Sequence, residues 1–292
     1  MGSDHNRRLG LLALGEAQIA LVGNSSLAAS NVYRRRATGD VIETAITAAE
    51  QGLPTALVSR VARDAFGDWL LEHLEKKHLL LDYIRQMPGR NSLVIEGKGR
   101  NHEDILPYRE GTVAGSLSVE DITHIPWEMV RYVYATGGTQ ALSTTAHAAT
   151  TAAFDSARAR GCVTVYDPRY TAAQWPPGGQ ELAKLACDEI LERTDILLIS
   201  APYATGRLLN QPNAERAARD ISLRGVPRVV VRESNRRCVI GDRGEFSTIT
   251  ASGDGQSASP SFGARFNGAL IAALREHDAL KDAASAALSK EA

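Results

Sequence analysis

From residue 130 onward the chain alternates short apolar runs, at 130–135, 163–166, 195–199 and 228–231, with Ala- and Leu-rich stretches long enough for helices. Continuous apolar runs suit strands buried on both faces, and a helix between successive strands supplies the crossover that parallel pairing requires. The pattern predicts an α/β fold with a doubly wound, mainly parallel sheet covered on both sides. The N-terminal third fits less regularly. Residues 11–22 are apolar but broken at Gly15-Glu16, which predicts one buried strand and its turn. Gly39-Asp40 opens a helix whose Ile42, Ala45, Ile46 and Ala49 share a face, and Gln51-Gly52 closes it before a strand at 56–59. Hairpins are predicted from 92–96 to 104–108, around Gly97-Lys98-Gly99-Arg100-Asn101, and across 238–249. A Gly/Ser/Pro-rich loop at 252–261 leads into a helix at 266–274, and a last helix covers 283–288.

With 292 residues, 43% of them hydrophobic, the chain can bury one large core, and a single domain over 1–292 is expected. A formal net charge of -1, from 33 basic and 34 acidic residues, gives no field for nucleic acid or an anionic membrane. The expected partner is a small molecule. Cys162, Cys187 and Cys238 are too scattered for a disulfide framework and read as core residues of a reducing compartment. Residues 7–14 imitate a short signal sequence, but Glu16 interrupts it and no small-residue cleavage site follows. No apolar run is long enough to span a bilayer, so a cytoplasmic location is expected.

Several segments, in order, resemble the ribokinase-like (PfkB) carbohydrate kinases, above all the 2-keto-3-deoxygluconate kinases. Leu14-Gly15-Glu16 is similar to the family's first strand, and Thr38-Gly39-Asp40-Val41-Ile42-Glu43 to its Gly-Gly-Asp-x-x-Asn helix start. Tyr108-Arg109 followed by Gly115-Ser116 resembles the exit from the family's lid. Asp167-Pro168-Arg169-Tyr170 with Trp175 resembles Asp-Pro-Asn-x-Arg…Trp, and 263–270 the helix after its Gly-Ala-Gly-Asp loop. The resemblance implies a small β-sheet lid, here about 92–110 plus part of 17–38, closing over a sugar near the carboxyl ends of the strands. It also implies a homodimer through that lid.

The same resemblance exposes losses. Phosphotransfer of this type calls for a base, helix N-terminal N–H donors and metal-holding carboxylates. Ser261, Phe262, Gly263 and Ala264 stand where Gly-Ala-Gly-Asp is expected, so the position of the acidic base holds a methyl group. Ala258 replaces an acid that often precedes this loop. The metal motif falls on Ser200 and Tyr203, and the glycines of the nucleotide loop on Ser234 and Arg237. Glu233 in that loop would repel a nucleotide, whereas Arg236 and Arg237 would attract anions. No nucleotide or other cofactor is therefore expected. No metal is expected either, since His102-Glu103-Asp104 are consecutive residues pointing apart.

The substrate side is rewritten instead. Asp40 and Glu43 share one face of a helix N-terminus, where close carboxylates split their pKa values into an acid and a base. In the plainer alternative Asp40 caps the helix and Glu43 is a solvated first-turn acid. Gly39, Tyr108, Arg109, Arg169 and Tyr170 are the expected substrate contacts, Arg169 as a guanidinium displaced by two residues that still reaches a carboxylate. The run Tyr33-Arg34-Arg35-Arg36 either extends that anion site or is a solvated edge. These features imply a sugar-kinase-like chain repurposed for nucleotide-independent elimination, isomerisation or cyclisation of a small, anionic metabolite. The alternatives are a non-catalytic sugar-acid sensor and a divergent active kinase.

Overall fold

The computed structural model describes residues 9–98, 104–251 and 261–291. β1 (Leu9–Leu14) is buried along its whole length and is an interior strand of the large sheet. Its side chains alternate between two cores: Leu11 and Ala13 enter one apolar cluster, Leu12 and Leu14 the other. That two-sided burial explains a run without polar alternation, each leucine contributing about 1.5–3 kcal/mol. The chain then leaves for a second sheet. Residues 11–22 thus form two strands rather than one, because Gly15 slips past Val41 and Thr139, where a Cβ would lie 2.7 Å from Val41 Cγ2. β2 (Gln18–Gly23) and β3 (Tyr33–Thr38) pair antiparallel in the small sheet.

α1 (Asp40–Glu50) follows, with Gly39 as its N-cap at φ +128°, a conformation that favours glycine. β4 (Thr55–Ala62) pairs with β1 in parallel, and α2 (Ala65–Lys76) starts on an Asp64 side chain that accepts from the Phe66 and Gly67 amides. Two short strands not legible in the sequence, β5 (Leu79–Leu80) and β6 (Ile84–Met87), extend the edge beside β4. β7 (Ser92–Glu96) and β8 (Ile105–Tyr108) complete the small sheet, ordered β3-β2-β7-β8. Residues 99–103, including the rest of the predicted turn with His102 and Glu103, lie outside the described residues, as do 1–8 and the 252–260 loop with Ala258.

The second half follows the predicted alternation. β9 (Val130–Thr136), the short α3 (Gly137–Gln140), α4 (Thr144–Ala159), β10 (Val163–Asp167), α5 (Gln180–Leu191), β11 (Ile196–Ser200), α6 (Tyr203–Leu209), α7 (Ala214–Leu223) and β12 (Arg228–Arg232) run in order. The predicted second hairpin is β13 (Arg237–Asp242) with β14 (Glu245–Thr250). α8 (Phe262–Ala273) begins four residues earlier than its apolar face suggested, and α9 (Leu280–Glu291) ends the described chain. The large sheet is ordered β14-β13-β12-β11-β10-β9-β1-β4-β5 and is parallel from β12 to β5. All three cysteines are buried and free. Among the described residues no helix is long and apolar enough to cross a membrane.

Candidate functional site

The strand order reverses at β1, which has β9 on one side and β4 on the other. Open α/β sheets bind ligands at the carboxyl ends of the strands beside such a reversal. Here a polar cleft of about 300 Å³ opens at that place, between the small sheet and the N-termini of α1 and α8. Its floor includes Thr136, Gly138 and Thr139 after β9, Asp40 and Glu43 of α1, and Ser261 and Ala264 of α8. Its roof is one face of the small sheet. The registers Gln18↔Thr38 and Ala20↔Arg36, with Ala20↔Val94 and Val22↔Glu96, place Thr38, Arg36, Gln18, Val94 and Glu96 on that face, and all five line the cleft.

Asp40 and Glu43 both reach the cleft but are treated differently. Arg169 Nε donates to Asp40 Oδ1 at 2.8 Å, and Gln174 Nε2 lies 3.4 Å from Asp40 Oδ2. Asp40 is the first residue of α1 and does not cap it. Arg169 sits in a left-handed conformation, φ +40°, just after β10, with its amide hydrogen-bonded to Asp167 Oδ1 at 3.0 Å. Such a backbone costs of order 1 kcal/mol in a residue with a Cβ, and here it turns the guanidinium back across the sheet end. Burial works against the Arg169 charge, but Asp40 and Asp167 outweigh it and raise the pKa further. The displaced guanidinium therefore reaches a carboxylate of the protein itself.

Glu43 is driven the other way. Burial raises its pKa above the ordinary 4.5, Asp40 adds to the rise, and Arg36, the Ser261 hydroxyl and Arg265 oppose it without cancelling it. Arg36 Nη1 lies 3.6 Å from Glu43 Oε1, and its Nη2 lies 3.2 Å from Glu96 Oε2. The arginine run is thus divided by strand alternation. Arg36 faces the cleft, whereas the Arg35 guanidinium stacks 4.1 Å over Trp69 on the opposite side.

Other expected contacts fall elsewhere. Tyr108 pairs with Leu93, one residue out of phase with Val94 and Glu96, so it is 55% exposed on the far face of the small sheet and does not line the cleft. Arg109 stands behind the lining, donating from Nε to Glu16 Oε2 at 2.8 Å and from Nη2 toward the Gly138 carbonyl at 3.3 Å. Tyr170 is buried in the second apolar core, its ring 6.0 Å from that of Tyr203. Gly39 lines the cleft and carries no side chain to contribute. Four lining residues carry no functional mark in the sequence: Glu16, which accepts from Arg109, Gln18 and Ser92 inside the cleft, and Gln18, Glu96 and Gln174. In the sequence Glu16 stands out as the break in an apolar run and as the end of the first-strand segment, not as a site residue.

Beneath the cleft lies a buried polar network. Arg232, 5% exposed, pairs with Asp167, 2% exposed, at 3.3 Å and donates to the Asn267 side chain and to the Gly263 carbonyl. Asn267 Nδ2 donates to Asp167 Oδ2 at 2.7 Å and to Tyr134 Oη at 3.1 Å, and the Thr44 hydroxyl donates to the Ala264 carbonyl at 3.0 Å. Every member has a partner, as a buried network requires. Two guanidiniums thus converge on the first turn of α8: a Cβ on Gly263 would lie 2.7 Å from Arg169 Nη1 and 3.6 Å from Arg232 Cζ. Phe262 is turned into the core against Phe266.

At the expected nucleotide loop, the Ser234 hydroxyl accepts from the amides of Arg236 and Arg237. Arg237 is held by Glu215 at 2.6 Å and by Glu233, and Arg236 donates to the Ala251 carbonyl at 2.9 Å. The two arginines expected to attract anions, and the glutamate expected to repel them, are therefore engaged with the protein. Ser200 ends β11, and Tyr203 opens α6, half-exposed.

A parallel α/β sheet with a four-stranded lid over a cleft at its reversal point is the architecture of the carbohydrate kinases to which the sequence was likened. The chain matches the pfkB family carbohydrate kinases over residues 9–289 and belongs to that family. It is 26% identical over 232 residues to the 2-dehydro-3-deoxygluconokinase of Thermoproteus tenax, covering 76% of this chain and 68% of that protein. Among solved structures, a PfkB protein from Polaromonas sp. JS666 superposes with a TM-score of 0.87 at 23% identity, covering 96% of this chain and 94% of that one. The fructokinase of Halothermothrix orenii gives 0.77 at 23% identity, covering 96% and 97%.

Proposed function

We propose that this chain binds a small polar metabolite in the cleft beneath the lid and transforms it by proton transfer through Glu43, without a nucleotide, in an elimination, isomerisation or cyclisation. The observation that carries this reading is the division between two neighbouring carboxylates. Asp40 is held by Arg169, while Glu43 has a raised pKa in the same cleft. A carboxyl group brought toward neutrality in this way exchanges protons readily with a bound ligand. The expected anionic charge of the ligand has less support, because both arginines lining the cleft, Arg36 and Arg169, are already paired with carboxylates.

Several residues at the phosphotransfer positions speak against a magnesium nucleotide. Ala264 presents a methyl group at the first turn of α8, and neither Ser200 nor Tyr203 offers a carboxylate. Arg236 and Arg237 are occupied at the loop that would otherwise hold phosphates. One observation favours a second reading. The Glu43 carboxyl is hydrogen-bonded to Ser261, at the start of α8, so a phosphotransfer base moved from α8 to α1 would occupy nearly the same space as the missing acid.

Thermal-shift and phosphate-transfer measurements with ATP, Mg²⁺ and a panel of sugars and sugar acids separate the two readings. The first expects ligand-dependent stabilisation with no ADP formed. ADP formation that depends on both a sugar and Glu43 supports the second. The proposal includes pairing of two copies through the lid, whose far face exposes Leu106 and Tyr108, and sedimentation at micromolar concentration checks it.

A further inference from the structure

We infer that the ligand carries a cationic nitrogen, an ammonium or amidinium group, which replaces the Arg36 guanidinium between Glu43 and Glu96; this rests on the cleft being the ligand site. Four carboxylates line the cleft, those of Glu16, Asp40, Glu43 and Glu96, against two guanidiniums, those of Arg36 and Arg169. Glu16 is satisfied from behind by Arg109, and Asp40 by Arg169. Glu43 and Glu96 share the Arg36 guanidinium between them, while Arg265 and the Ser261 hydroxyl also act on Glu43. Of the two guanidiniums lining the cleft it is the more exposed: the Arg36 side chain is 47% exposed, 3.6 Å from Glu43 and 3.2 Å from both Glu96 carboxylate oxygens, against 24% and 2.8 Å for Arg169 on Asp40.

An exposed guanidinium bridging two carboxylates adds little, since its attraction is screened and its long side chain loses freedom. A cationic group entering the cleft displaces it outward at small cost and gains both carboxylates in a drier space. The carboxylates themselves are less exposed than the arginine, at 19% and 24%. A second group in the wall also calls for a donor. Gln174 Oε1 is buried with no hydrogen-bond partner among the described residues, and it belongs to a cleft-lining side chain whose amide nitrogen is oriented by Asp40.

The test is differential scanning fluorimetry with D-glucosamine, D-glucose, D-gluconate and methylguanidinium, applied to the wild type, Arg36→Ala and the triple variant Arg36→Ala/Glu43→Gln/Glu96→Gln. Arg36→Gln, which keeps the stem and removes the charge, stands in if the alanine variant folds poorly. Removing the internal competitor is expected to lower the half-saturating concentration of methylguanidinium or D-glucosamine about threefold. The triple variant is expected to lose that stabilisation, and D-gluconate to give none. Absence of a cation-dependent shift in the Arg36 variants overturns the inference, as does stabilisation of the wild type by D-gluconate that disappears in Arg36→Ala. Either failure leaves the proton-transfer role of Glu43 standing, because that role is read from turnover and not from ligand charge.

Discussion

The Arg169 Nε lies 2.8 Å from Asp40 Oδ1, across 129 residues of sequence, and joins the loop after β10 to the first turn of α1. The bond closes the floor of the cleft. Because both side chains are largely withdrawn from water, removal of one leaves the other poorly solvated. Arg169→Ala is expected to destabilise the protein by about 1–3 kcal/mol and to weaken ligand-induced stabilisation, measured by urea denaturation with and without ligand. Arg169→Lys keeps the charge but loses the Nε contact, and is expected to fall between the two.

Glu43 supplies a pH signature. Its pKa in the folded protein is raised by burial, so the folded state holds the proton more tightly than the unfolded state. The stability difference between Glu43→Gln and the wild type therefore shifts in favour of the variant as pH rises from the ordinary glutamate value toward the raised one. Urea midpoints measured from pH 4 to 8 on both proteins check the sign. A difference that runs the other way means the carboxylate is stabilised by its neighbours Arg36, Ser261 and Arg265.

The strand alternation, the helix opened by Gly39-Asp40 and the pairing of Asp40 with Glu43 on one helical face were legible because they rest on local spacing. The cleft roof was not. Whether Arg35 or Arg36 faces the ligand depends on the register of β2 with β3, and a shift of one residue also put Tyr108 on the wrong side. Glu16, Glu96 and Gln174 are brought together by strands and loops far apart in sequence, with no motif to mark them. Arg169 was legible as a guanidinium near the site, but its partner was taken to be the ligand. The structure gives that partner as Asp40.

Close packing of α1 on α8 sets the cleft floor. A Cβ on Gly268 would lie 2.3 Å from the Thr44 carbonyl oxygen, a backbone atom that cannot swing aside. Gly268→Ala is expected to cost roughly 3 kcal/mol and to separate the two helix N-termini, lowering both the melting temperature and ligand response.

A remote control comes from Arg60 and Asp121, which pair at 2.8 Å with side chains 8% and 0% exposed. Asp121→Ala leaves a buried guanidinium with only the Ser116 and Ser118 hydroxyls and is expected to cost about 3–5 kcal/mol. Ligand affinity per folded molecule should be unchanged, since neither residue lines the cleft.

The central claim is that Glu43 moves a proton on a small metabolite without help from a nucleotide. It is tested most directly by incubating a desalted metabolite extract with wild-type protein and with Glu43→Gln, each with and without Mg²⁺ and ATP, and following masses over time. With compounds separated by chromatographic retention as well as mass, so that an isomer is told from its substrate, the account predicts a compound consumed by the wild type equally in both conditions and left untouched by Glu43→Gln. Consumption that requires ATP and yields a product heavier by one phosphoryl group would contradict it.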